Sequence, residues 1–146
     1  MQEAKFILSK GKVLSQYNKV KEYADVVSYS SKTNQDVTKV LEETDSMFSV
    51  HFVNELKHIK DKSRVMFIAQ AWDSTLIYSL VEMGVRWFIV DNEYDLKVMV
   101  DFLKNKDVKV NLLLRVKLRE HTIRTEKYFV FGMDAKVVNS WIKELR

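Results

Sequence analysis

The sequence predicts an α/β fold built on a parallel sheet, and three observations carry it. Short runs rich in β-branched and aromatic residues recur along all 146 residues. Several of them are apolar on consecutive positions, as strands covered on both faces are. Amphipathic helical stretches separate them, giving about five strand–helix units in series, and such alternation calls for right-handed crossovers between parallel strands.

Taken in order, a leading helix is expected over Val13 to Tyr23, followed by a strand at Val26–Tyr29. A short helix over Asp36 to Thr44 leads to a second strand, Met47–Phe52, and Asn54 to Lys60 is a further short helical candidate. Val65–Ala69 forms the third strand. Asp73 or Ser74 can cap the next helix, whose Leu76, Ile77, Leu80 and Val81 keep helical spacing, and Gly84 stops it. After a fourth strand at Trp87–Val90, Asp91 or Asn92 caps a helix with Leu96, Met99, Val100 and Leu103 on one stripe. The fifth strand is Val110–Val116. Asp134 caps the last helix, with Val137, Val138, Trp141, Ile142 and Leu145 expected inward.

This pattern fits an open doubly wound sheet or part of a (β/α)₈ barrel, and a complete barrel takes about 250 residues. The only glycines are Gly11, Gly84 and Gly132, so neither a dinucleotide fingerprint nor a phosphate-binding P-loop is present. One domain spanning 1–146 is expected from the length.

Composition narrows the function classes. Hydrophobic residues make up 47% of the chain, as in a packed globular protein. No apolar run approaches the roughly 20 residues that cross a bilayer, and Met1 to Lys10 lacks a signal-peptide pattern, so no membrane role and a cytoplasmic location are expected. The absence of cysteine excludes a disulfide framework and a thiol nucleophile. Net charge is +4, spread along the chain. Its densest basic stretch, Arg115, Lys117, Arg119 and Arg124, has no aromatic platform, so nucleic-acid binding is not expected. His58 and His121 read as exposed, and no histidine pair has metal-ligand spacing.

Tyr29-Ser30-Ser31-Lys32-Thr33-Asn34 resembles the Y-A-V-K-A-N signature that opens the barrel of the ornithine, arginine, lysine and diaminopimelate decarboxylases, which depend on pyridoxal phosphate. The succession after it matches in order and spacing. Phe48-Ser49-Val50-His51-Phe52 with Asn54-Glu55-Leu56 resembles the family's F-D-V-A-S and G-E-L. Arg64 to Gln70 resembles its R-I-I-F-x-x-P strand, and Gly84-Val85 with Val90-Asp91-Asn92-Glu93 and Leu96 its G-V and D-S-x-x-E-L. Leu113-Leu114-Arg115-Val116 resembles its L-L-R-V strand, and Val130-Phe131-Gly132-Met133 the K-F-G-M before the following helix.

The resemblance implies a partial (β/α)₈ barrel of about five parallel strand–helix units. It implies that Lys32 forms an imine with pyridoxal phosphate at the C-terminal mouth, and that Arg115 lies near the cofactor. The strand register agrees: Ser28, Ser30 and Lys32 alternate onto one face, small serines leave room, and a partly buried lysine at the strand's end suits imine chemistry. Departures accompany the matches. Ser49 replaces the family's aspartate, and His51 stands where a small residue is usual, able to contact a cofactor or to fill its space. The stacking histidine, the Gly-rich phosphate loop, the acidic partner of the pyridine nitrogen and the β-domain belong to later parts of the family's sequence. The resemblance therefore implies a subunit or fragment of a split decarboxylase acting on a basic amino acid in polyamine biosynthesis. Its partner would be a complementary C-terminal chain or further copies of itself; the alternative is a non-catalytic relative serving regulation or protein interaction.

Overall fold

The structure, a computed structural model, describes residues 7–68, 70–117 and 131–145. Phe6 (named with Ile7 and Leu8 in the apolar N-terminal segment), Ala69, Arg119, His121, Arg124 and Val130 lie outside the described residues. Five parallel strands form one sheet in the sequential order β1-β2-β3-β4-β5. That order is the one expected of a partial (β/α)₈ barrel, since a doubly wound sheet reverses direction at a switch point. The chain divides into two compact units, Met1–Met66 and Phe67–Arg146.

In the first unit, α1 (Lys10–Lys21) begins three residues before the expected Val13, because Ser9 caps it: its hydroxyl accepts from the Lys12 N–H. β1 (Ser28–Ser30) is shorter than Val26–Tyr29 and shifted forward, with Val26 exposed. α2 (Gln35–Leu41) is capped by Asn34, whose side chain accepts from the Asp36 N–H at 2.9 Å. β2 (Met47–Val50) pairs with β1 in parallel, Ser30 opposite Ser49. It stops two residues before the expected Phe52 because the Glu55 carboxylate accepts from the backbone N–H groups of His51 and Phe52, at 3.3 and 3.1 Å. Those donors are thereby lost to the ladder, and the chain turns into a 3₁₀ helix over Val53–His58.

Phe48, Val50, Leu56, Ile59 and Val65 are buried in this unit. Arg64 sits over the Phe48 ring, 5.0 Å from its centroid. The same guanidinium donates to the carbonyls of Leu41 and Glu42 at the end of α2 and to Ser46. It thus satisfies carbonyls that a helix end leaves without partners. β3 (Val65–Ile68) follows it directly.

α1 is fastened to the loop before β2 by a polar trio. The Tyr17 hydroxyl donates to Asp45, and the Lys21 ammonium pairs with the same carboxylate at 2.8 Å. The hydrogen bond from Lys21, and after it that from Tyr17, hold the Asp45 carboxyl down to about 2. A depressed carboxyl contributes stability that is present above its unfolded value near 3.8 and is lost as pH falls through the folded one. Carbon-13 titration of the Asp45 carboxyl is therefore expected to show a midpoint near 2. The α1 fastening is expected to loosen between that pH and the unfolded value; an ordinary aspartate midpoint would contradict the trio.

In the second unit, Asp73 caps α3 (Ser74–Glu82), its carboxylate accepting from the Leu76 N–H at 2.8 Å. Gly84, at φ 98°, ends it: its N–H donates to Val81 and that of Val85 to Leu80, the paired bonds of a Schellman motif. β4 (Trp87–Val90) has the expected bounds. Asn92 caps α4 (Glu93–Lys104), accepting from the Asp95 N–H at 2.8 Å. β5 (Asn111–Leu114) pairs in parallel with β4 and is shorter than Val110–Val116, since Val116 departs to a parallel bridge with Met133.

α5 (Ala135–Glu144) follows Asp134, whose side chain makes no capping bond. Of its expected inward face only Val138 is buried, while Ile142 and Leu145 are exposed. Ile77, Leu80, Val85, Phe88, Val90, Leu96 and Met99 are fully buried in this unit.

Candidate functional site

The first unit gathers three of the four residues singled out in the sequence at the C-terminal ends of β1 and β2. The Ser31 N–H donates to the Ser49 carbonyl at 3.1 Å, extending the ladder one residue past β1. The chain then turns sharply, with the Thr33 N–H donating back to the Ser30 carbonyl at 3.1 Å. Lys32 sits in that turn, two residues beyond the strand. It is exposed, not partly buried as the alternation argument expected, because the turn ends the strand before the alternation can carry Lys32 inward.

Ser49, in the place of the family's aspartate, is half-buried and its hydroxyl is 2.7 Å from that of Ser28. The two hydroxyls satisfy one another across the strands. His51 is half-buried just past β2, its ring 6.5 Å from that of Phe52.

Glu55 is the residue that sequence reasoning matched without giving it a task. Besides the two N–H groups after β2, its carboxylate accepts from the buried Ser31 hydroxyl at 2.8 Å. One side chain thereby links the turn after β1, which carries Lys32, to the turn after β2, which carries His51. Its signal in the sequence is an acidic residue three positions after Phe52, where a carboxylate can reach back to the backbone N–H at the helix start.

In the second unit, Arg115 follows β5. Its N–H donates to the Val90 carbonyl and its own carbonyl accepts from the Met133 N–H. One guanidinium nitrogen lies 3.3 and 3.4 Å from the two oxygens of Asp91. The Asp91 side chain is 7% exposed and that of Arg115 46%. The buried carboxylate thus has its countercharge, while the arginine keeps an open side, with Phe131 beneath it at 5.2 Å. Gly132, at φ 91°, donates its N–H to the Asp91 carbonyl at 3.1 Å.

Asp91 and Asn92 are both placed to cap α4. Asn92 does the capping, and Asp91 is the partner that an arginine beside an apolar strand requires. Next to it, fully buried Asp95 accepts from Asn92 Nδ2 at 2.6 Å and from the Ala71 N–H at 3.3 Å, and its carbonyl holds the Trp72 indole N–H at 2.8 Å. Among the described residues no cluster of His, Asp and Glu could hold a metal ion.

These features define a class of chain: a parallel α/β sheet in sequential order with a lysine just past its first strand. No family model and no curated protein matches the sequence. Among solved structures, the chain is similar to a lysine/ornithine decarboxylase complexed with cadaverine, from Vibrio vulnificus, with a TM-score of 0.66 over 92% of this chain at 16% identity. At that identity the likeness establishes the fold, which is similar to that of the decarboxylase barrel domain. The chain spans 36% of the length of that decarboxylase chain.

Proposed function

We propose that the chain is a subunit of a pyridoxal-phosphate-dependent amino-acid decarboxylase of the ornithine/lysine/arginine type, with Lys32 as the imine-forming lysine. The observation that carries this reading is the position of Lys32, at the C-terminal end of the first strand of a sequential parallel sheet, where barrel sites are built. When bound, the cofactor would supply an electron sink for the carbanion left as carbon dioxide departs.

The described residues fit that group at one end only. Lys32 offers an amine for the aldehyde, and Glu55 anchors the turn that presents it. For the phosphate the fit fails: the described glycines are dispersed, in α1 (Gly11), at the end of α3 (Gly84) and beneath the Asp91–Arg115 pair (Gly132), and none belongs to a glycine-rich loop. For the ring nitrogen, Asp91 is already engaged by Arg115. Imine chemistry also needs a neutral amine, and Lys32 is exposed, so its covering would have to come from elsewhere in an assembly.

The proposed surface for such an assembly is the one beside β5. A groove of about 830 Å³ runs along it, lined among others by Leu112, Leu114, Val116, Val138, Ile142 and Leu145. Among the described residues β5 is the last strand of the sheet; apolar side chains beside such a strand favour pairing with a further one, and a complementary decarboxylase chain is the proposed source, further copies of this chain being the alternative. A second reading, a non-catalytic relative acting through that surface, is favoured by the mutual satisfaction of Ser28 and Ser49 and by the incomplete cofactor fit.

The purified chain alone, given pyridoxal phosphate, is expected to release no carbon dioxide from ornithine, lysine or arginine above the uncatalysed rate. With its complementary chain, release is expected, falling to background in Lys32→Ala. Release by the chain alone that is sensitive to Lys32→Ala would overturn the need for a partner. An active complex indifferent to that substitution would overturn the role of Lys32.

A further inference from the structure

Among the described residues β5 pairs with β4 alone. The Asn111 and Arg115 N–H groups donate to Arg86 and Val90 at 2.7 and 3.0 Å, so strand alternation turns the backbone groups of Leu112 and Leu114 to the open side. The chain through this edge, Val108 to Lys117, carries Lys109, Arg115 and Lys117 and no acidic residue. Asp91 answers Arg115. Lys109, which lines the groove, and Lys117, which follows the lining residue Val116, are both exposed and have no ion-pair partner among the described residues.

Lysines beside an open strand oppose pairing with copies of the same strand. Two β5 edges paired antiparallel, with Leu112 against Leu114 of a second copy, would set Lys109 opposite Lys117 at both ends, and like charges directly opposite are unfavourable. A parallel pairing with β1 of a second copy would answer Lys109 with Asp25 but bring the exposed Lys32 beside Lys117. We infer, on the assembly proposed above, that the β5 edge takes a strand of a different chain, apolar where it meets the groove and carrying a carboxylate at each end, one for Lys109 and one for Lys117. The partner at this edge is thus an acidic-flanked strand and not a second copy.

Two blocked synthetic peptides serve as probes. Each alternates valine with threonine over about seven residues, the reach from Lys109 to Lys117 in an extended chain, between pairs of glutamates in one and pairs of lysines in the other. In calorimetric titration of the full chain at low salt, the glutamate peptide is expected to bind about tenfold more tightly than the lysine peptide, and the difference to shrink as salt screens it. The double charge reversal Lys109→Glu with Lys117→Glu, confined to exposed side chains, is expected to invert the preference, which locates binding at β5. Equal binding of the two peptides, binding of neither, or a preference that survives the charge reversal would overturn the acidic partner. A wild-type dimer that the glutamate peptide dissociates would place a second copy at this edge and overturn the choice of a different chain. Lys32→Ala is expected to leave both affinities unchanged, so these titrations and the imine role of Lys32 fail independently.

Discussion

Replacement of Phe88 by alanine is expected to destabilise the second unit by about 3–5 kcal/mol, the usual cost of removing a buried aromatic ring. Phe88 is fully buried at the second position of β4. Its ring meets that of Trp72 edge-on, with centroids 5.6 Å apart and planes at 73°. Trp72 is 2% exposed and pinned through its indole N–H to the Asp95 carbonyl. It cannot follow the truncated side chain without breaking that bond, so the cavity left behind does not collapse. Loss of the edge-on contact adds to the transfer term. Urea unfolding followed by tryptophan fluorescence measures the effect. A loss below about 1 kcal/mol would mean that the site relaxes, contrary to the pinning of Trp72.

The second large effect is expected at Gly132. Its φ of 91° lies where residues with a side chain are strained, and a Cβ there would lie 2.9 Å from the Lys117 nitrogen and 3.0 Å from the Val116 carbonyl carbon. Both are backbone atoms of the segment that bridges to Met133, so neither can swing aside. Gly132→Ala is expected to cost about 3 kcal/mol and to lower the melting temperature by about 6–12 °C for a chain of this size. Because Gly132 also donates to the Asp91 carbonyl, the Asp91–Arg115 pair and its contact with Phe131 are expected to loosen with it. An unchanged melting temperature would show that the bridge beyond β5 does not form.

What the sequence makes legible here is local chemistry. Asp73 and Asn92 cap the helices they precede, Gly84 closes α3, and the apolar run Trp87–Val90 is β4, because each depends on neighbours within a few residues. The missed features depend on partners far along the chain. β2 ends early because Glu55 turns back on it, and β1 ends before Lys32 because its turn closes on Ser30 and is fastened to Glu55. Arg64, read as the start of a strand motif, binds carbonyls about twenty residues earlier. The fate of Asp91 was hidden because a strand-end aspartate before a helix has two physical uses, and only the position of Arg115 decides between them. α5 shows the converse. Its apolar spacing is genuine, but Ile142 and Leu145 line the groove beside β5 and stay exposed. The position of Lys32 was legible through its motif, its exposure was not.

Lys32 is proposed to carry pyridoxal phosphate in an assembly with a complementary chain. The most direct measurement is to isolate the protein from its native cells with whatever chains accompany it, reduce the sample with borohydride, and map pyridoxyl-lysines by mass spectrometry. A pyridoxyl group on Lys32 is expected, in a complex whose second chain bears further decarboxylase strands. A chain recovered alone, or a complex in which Lys32 is unmodified while other lysines are labelled, would contradict it.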